Sequence, residues 1–143
     1  MFIQKELFPL IEKRYRSNPE RRILAGLSFG AFFASYVLFN DPEMFHGYIL
    51  SGTPYIWDEY ALGRMEAEYY KKSENLPAVV FSAVGELEHP DEMIKPWRQF
   101  NEHLKSRNYE GLKFKAIEFA GETHISVWPA AFTRGLKYVL LTD

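Results

Sequence analysis

The spacing of apolar positions changes several times along the chain, and each change marks an element. Ile3, Leu7, Leu10, Ile11 and Tyr15 recur at three- and four-residue intervals, which predicts an amphipathic helix. Pro9 is expected to kink that helix or to sit near its first turn, and Ser17-Asn18-Pro19 ends it. Arg22 to Leu27 is an apolar run of strand length. Gly30 to Phe39 predicts a largely apolar helix that Asn40-Asp41-Pro42 stops. His46 to Leu50 reads as a second strand. Asp58 to Lys72 is weakly helical and rich in charge. Ala78 to Val84 is apolar and β-branched, which predicts a third strand. Asp91 to Arg107 carries Met93, Trp97, Phe100 and Leu104 along one helical stripe. Leu112 to Phe119 alternates as a fourth strand, and Val127 to Leu141 closes the chain as a helix.

Strands therefore alternate with helices, the arrangement that right-handed βαβ units and a parallel sheet produce. The expected fold class is α/β, with about four parallel strands flanked by helices. The first three strands are apolar throughout, as strands covered on both faces are. A length of 143 residues suits one domain spanning 1–143.

Composition narrows the function classes. Apolar residues make up 47% and aromatics 17%, which argues against disorder. The formal charge is −2. The one dense basic stretch, Lys13-Arg14-Tyr15-Arg16 with Arg21-Arg22 nearby, reads as a solvated helix end, so no nucleic-acid partner is expected. With no cysteine, disulfides, thiolate metal sites and cysteine nucleophiles drop out. No apolar run is long enough to span a bilayer. Lys5 and Glu6 interrupt the apolar start, so it does not read as a signal peptide. The expectation is a cytoplasmic chain without a membrane partner.

Gly26-Leu27-Ser28-Phe29-Gly30 matches G-x-S-x-G. Alone, the pattern arises by chance in about one chain in twenty of this length. Its context is more specific: it follows a predicted strand and opens a predicted helix, the setting of a nucleophile elbow. Such a turn strains the serine backbone and exposes its hydroxyl at the carboxyl end of the strand. The helix amino terminus adds positive potential for a developing oxyanion, and the Phe29 N–H is a candidate donor to it. An ordinary βα turn with Ser28 as helix cap is the competing reading.

His124, in Gly121-Glu122-Thr123-His124, lies between the last strand and the last helix and is the candidate base. His103 reads as solvated on a helix, His46 as surface or packing, and His89 as wrongly placed. The acid is drawn from the cluster after the third strand. Glu88 is preferred, with Glu86 and Asp91 as alternatives. Asp91 and Glu92 also suit a first helical turn. Ligand spacing for a metal is lacking there, and no cofactor is expected. Serine, acid and histidine in this order support acyl transfer on an ester carbonyl through an acyl-enzyme.

With these residues in place, the chain resembles α/β hydrolases related to enterochelin esterase and close to the esterase D group. The carrying segments are Glu6 to Glu12, Gly26 to Gly30, Ser51 to Trp57, Gly85 to Glu88 and Gly121 to His124. The resemblance implies an α/β-hydrolase fold, Ser28 and His124 as catalytic residues and Glu88 as the acid. It implies a small ester substrate, siderophore-like or simpler. Leu27 stands where the family usually has histidine, and Ala31 where it has a second glycine. Ser51-Gly52-Thr53-Pro54 replaces a serine-proline-serine run near the substrate, where Tyr55 and Trp57 line a pocket or pack a loop. The family also carries an amino-terminal half with the first strands and the second oxyanion donor, which this chain lacks. The Arg22–Leu27 strand is then expected to present an unpaired edge and to support a homodimer. Two further readings stand beside the esterase. One is a binding or assembly module with an incomplete site. The other is a thioesterase or acyltransferase on the same fold.

Overall fold

The computed structural model describes residues 1–142. Four parallel strands form one sheet in strict chain order. β1 (Ile23–Leu27) pairs with β2 (Gly47–Ser51), β2 with β3 (Val79–Gly85), and β3 with β4 (Lys113–Phe119). Ile23, Gly47, Val79 and Lys113 stand in one row, so the strands begin level and their loops collect at the carboxyl edge. The helices between and after them are α2 (Phe29–Asn40), α3 (Trp57–Tyr70), α4 (Lys95–Ser106) and α5 (Val127–Leu141).

The strand period of two sorts side chains between two cores. Tyr48, Leu50 and Val80 join Ala34, Leu38 and Leu104 from α2 and α4 on one face. Ile49, Phe81 and Ala83 join Val127, Ala131 and Val139 from α5 on the other. A third cluster near the strand ends holds Tyr55, Leu62, Val84, Ile94 and Trp97. β2 and β3 are buried at every residue, as strands covered on both faces must be. β1 is only partly covered despite its apolar sequence, because it borders the sheet. At the opposite border β4 exposes Lys113 and Lys115.

Predicted and observed elements coincide to within a few residues, with three local differences. The first helix divides into a π-helical turn, Ile3–Leu7, and a seven-residue helix α1 (Phe8–Arg14), neither with a fully buried residue. Pro9 lies in the first turn of α1, directly after the π-helical turn, and has no N–H to donate back to that turn. Phe8 carries the contact with the body: its ring meets Phe45 edge-on at 5.5 Å and lies 3.9 Å below the Arg22 guanidinium carbon. The predicted 91–107 helix starts as a π-helical turn, Pro90–Ile94. Asp58, Glu59 and Tyr60 in α3 have left-handed backbones, so regular right-handed helix begins at Ala61.

α3 is tied to the chain beyond α4 by a buried carboxylate. Glu66 is wholly buried and accepts hydrogen bonds from Arg107 Nε (2.9 Å) and Nη2 (3.0 Å) and from the Tyr109 hydroxyl (2.8 Å). His103 Nε2 lies 2.8 Å from Glu66 Oε2. His103, expected to be solvated, is therefore half-exposed but engaged. Burial pushes the Glu66 carboxyl up, and the hydrogen bonds from Arg107, Tyr109 and His103 together outweigh it and hold it below the ordinary value of 4.5. Among the described residues no helix is long and apolar enough to cross a membrane.

Candidate active site

Ser28 is the single residue between β1 and α2. Its backbone stands at φ 57°, ψ −121°, a conformation that costs a non-glycine residue of order 1–3 kcal/mol. Two features hold it there. Its N–H donates to Ser51 C=O at 2.8 Å, and its own C=O accepts from Phe32 N–H at 3.0 Å. Gly26 makes the close return of helix on strand sterically feasible. A Cβ at Gly26 would stand 2.1 Å from the Gly30 carbonyl carbon and 2.5 Å from the Ala31 nitrogen. Gly30 has open space around its own Cβ position, so of the two flanking glycines only Gly26 is required by packing. Ala31 is fully buried in the core.

His124 lies in the loop between β4 and α5. That loop is tied to the start of α5: Thr123 N–H donates to Ser126 Oγ (2.9 Å) and Val127 N–H to Thr123 C=O (3.0 Å). The loop after β3 is bonded to it. Glu86 N–H donates to Phe119 C=O, Leu87 N–H donates to Glu122 C=O, both at 2.9 Å, and Gly121 N–H donates to Glu86 Oε2 at 2.8 Å. Gly85 allows this approach, since a Cβ there would lie 2.3 Å from the Glu122 oxygen.

Among the three candidate acids, Glu88 is the one that meets the histidine. Its carboxylate is buried; Oε2 lies 2.6 Å from His124 Nδ1, and Oε1 accepts the Gly85 N–H at 2.8 Å. Glu86 is instead exposed and bonded to Gly121. Asp91 is exposed in the turn Pro90–Ile94. His89 caps that turn, accepting the Glu92 N–H at 3.2 Å. His46 is half-buried, with Nε2 enclosed and without a hydrogen-bond partner among the described residues.

Ser28 and His124 each meet the end of β2, Ser28 through its bond to Ser51 and His124 against Gly52. The residue after Ser51 is Gly52, at φ 55°, and a Cβ there would stand 2.7 Å from His124 Cε1 and 2.8 Å from Nδ1. Only glycine leaves the imidazole room on that side. The departure from serine-proline-serine thus falls directly beneath the histidine. No hydrogen bond joins Ser28 Oγ to His124 among the described residues.

The two aromatic candidates separate. Tyr55 is buried and stacks on Phe100 with centroids 4.4 Å apart, and burial pushes its phenol up to about 12. Its side chain packs in the core, and its ring also lines a cavity shared with Tyr60 and Phe100. Trp57 is 55% exposed and meets the ring of Phe29, 53% exposed, edge-on at 5.0 Å. The periodicity around Asp58 gave no sign of this pairing, and Gly52 stood out only as a departure from a pattern.

The profile of the Esterase family ("Putative esterase") matches residues 1–139. Ferri-bacillibactin esterase BesA of Bacillus subtilis is 33% identical over 147 residues, which span 99% of this chain and 50% of BesA. The BES protein of Bacillus cereus superposes with a TM-score of 0.88 at 31% identity, covering 96% of this chain and 53% of that one. An IroE-like serine hydrolase of Shewanella oneidensis gives 0.82 at 27% identity, with 95% and 45% covered. The chain spans about half the length of these relatives. Its sheet and helices are those of an α/β-hydrolase fold, and the chain belongs to the Esterase family.

Proposed function

We propose that this chain carries the reacting groups of a serine carboxylic ester hydrolase: Ser28 as nucleophile, His124 as base and Glu88 as the acid that orients it. The observation that carries the reading is the pairing of His124 Nδ1 with the buried Glu88 carboxylate at 2.6 Å, one glycine away from the strained Ser28 turn. With Nδ1 engaged, Nε2 is the nitrogen left to take the Ser28 proton. Ser28 Oγ attacks the ester carbonyl carbon, and the oxyanion is held by the Phe29 N–H at the start of α2. The C–O bond to the alcohol breaks as His124 returns the proton to the leaving oxygen. Water, deprotonated by the same imidazole, then attacks the acyl carbon and frees Ser28. Glu88 stabilises the imidazolium in both halves.

The Bacillus subtilis relative is named for ferri-bacillibactin, and a siderophore-like or other small ester is the substrate class proposed here. Thioester hydrolysis or acyl transfer to an alcohol would use the same groups. Because the chain spans half the length of its relatives, a second reading is a binding or assembly module whose chemistry other residues complete. The deciding experiment is p-nitrophenyl acetate and butyrate hydrolysis beside the Ser28→Ala variant, with fluorophosphonate labelling of both. Turnover and labelling are expected to disappear in the variant at unchanged circular dichroism. Equal rates in the two proteins would favour the module.

A further inference from the structure

Asp58, Glu59 and Tyr60 follow Trp57 with φ of 48°, 51° and 60° and ψ of 55°, 48° and 43°. This is a full left-handed turn without a glycine. L-residues avoid that region, and three in succession stand only where their surroundings hold them. The holding group is Arg64, one turn further along α3. Its Nη1 donates to the Glu59 C=O, and its Nη2 donates to the Asp58 C=O at 2.8 Å and lies 3.4 Å from Asp58 Oδ2. A planar guanidinium spans two adjacent carbonyls in a way that an ammonium does not.

The turn is costly and its three residues are exposed, and it joins Trp57 to the buried start of the regular helix at Ala61 and Leu62. The indole lies edge-on to Phe29, at an interplanar angle of 88°, and both rings are more than half exposed. Phe29 is the residue next to Ser28. Two large aromatic faces left in water beside a candidate nucleophile form a surface that a ligand would desolvate.

We infer that Arg64 is a positioning residue: by clamping the left-handed turn it stands Trp57 against Phe29 as an aromatic wall beside Ser28, which selects esters bearing a flat aryl group. The inference deepens the proposed serine site and rests on it for the chemistry, while its structural part stands apart from catalysis.

Three measurements test it. Glycine adopts a positive φ without steric cost, so Glu59→Gly is expected to raise Tm. A fall in Tm, which glycine causes in a right-handed helix, would overturn the turn itself. In a 1H–15N spectrum the Trp57 indole peak, assigned by its loss in Trp57→Phe, is expected to move in both Arg64→Met and Arg64→Lys. A peak that stays in place would remove Arg64 from the positioning role. Titration of the Ser28→Ala chain with 4-nitrobenzoate needs no turnover. Adding Arg64→Met is expected to weaken binding several-fold, and unchanged binding would refute the wall. The serine reading fails on a different result, equal hydrolysis of p-nitrophenyl butyrate by the wild type and Ser28→Ala.

Discussion

Glu88 and Gly52 show how closely single residues control the site. The carboxylate divides its two oxygens between an imidazole nitrogen and a backbone amide, so it holds His124 without rotating. Glu88→Gln keeps the shape but offers an amide where Nδ1 needs an acceptor. It is expected to lower kcat by about 10⁴-fold with a small effect on KM, as ester kinetics will show. A variant within a few-fold of wild type would reduce Glu88 to packing. Gly52→Ala would drive a methyl into the imidazole and is expected to slow turnover while leaving the fold intact by circular dichroism. The Ser28 and His124 candidates were legible from the sequence because each is bracketed by elements whose apolar runs are unambiguous. The sequence favours Glu88 but leaves Glu86 and Asp91 open, since three acids in one loop share a composition and differ in which way they point. Tyr55 and Trp57, two residues apart, divide between core and solvent for the same reason.

Among elements, the β1–α2 and α3–α4 junctions carry the most consequence. Gly26→Ala places a methyl group inside the Gly30 backbone and is expected to cost about 3 kcal/mol, readable by urea unfolding. At Glu66 the folded carboxyl lies below its unfolded value of 4.5. Its contribution is therefore complete above that pH and is lost as pH falls through the lower folded value. Glu66→Gln is expected to lose on the order of 2–3 kcal/mol at neutral pH and to flatten the acid limb of the stability profile below 4.5. The strands and α2 were readable because Asn, Asp and Pro punctuate them. The left-handed turn was not, because Asp58-Glu59-Tyr60 contains no glycine and continues an ordinary helical pattern. The Glu66 cluster escaped notice because its partners lie about forty positions away in sequence and a lone Glu on a charged helix looks solvated.

For the whole molecule, the sheet has two unlike borders. β1 presents an apolar, half-covered rim, whereas β4 carries Lys113 and Lys115 outward. We propose that the β1 rim pairs with the same strand of a second copy. Sedimentation is expected to show a concentration-dependent dimer that Ala25→Pro, which removes a rim donor or bends the strand, dissociates. A single monomeric species at all concentrations would exclude the pairing.

The lysines of β4 then acquire a meaning beyond their own strand. A β1–β1 contact is two-fold and self-complementary, so each copy spends its one adhesive side on the other. The eight-stranded sheet that results ends at both borders in β4, where ammonium groups repel any further strand. Growth would be closed at two subunits, with no open screw axis along which fibres could extend, and the border that closes it would be the one furthest from the point of contact.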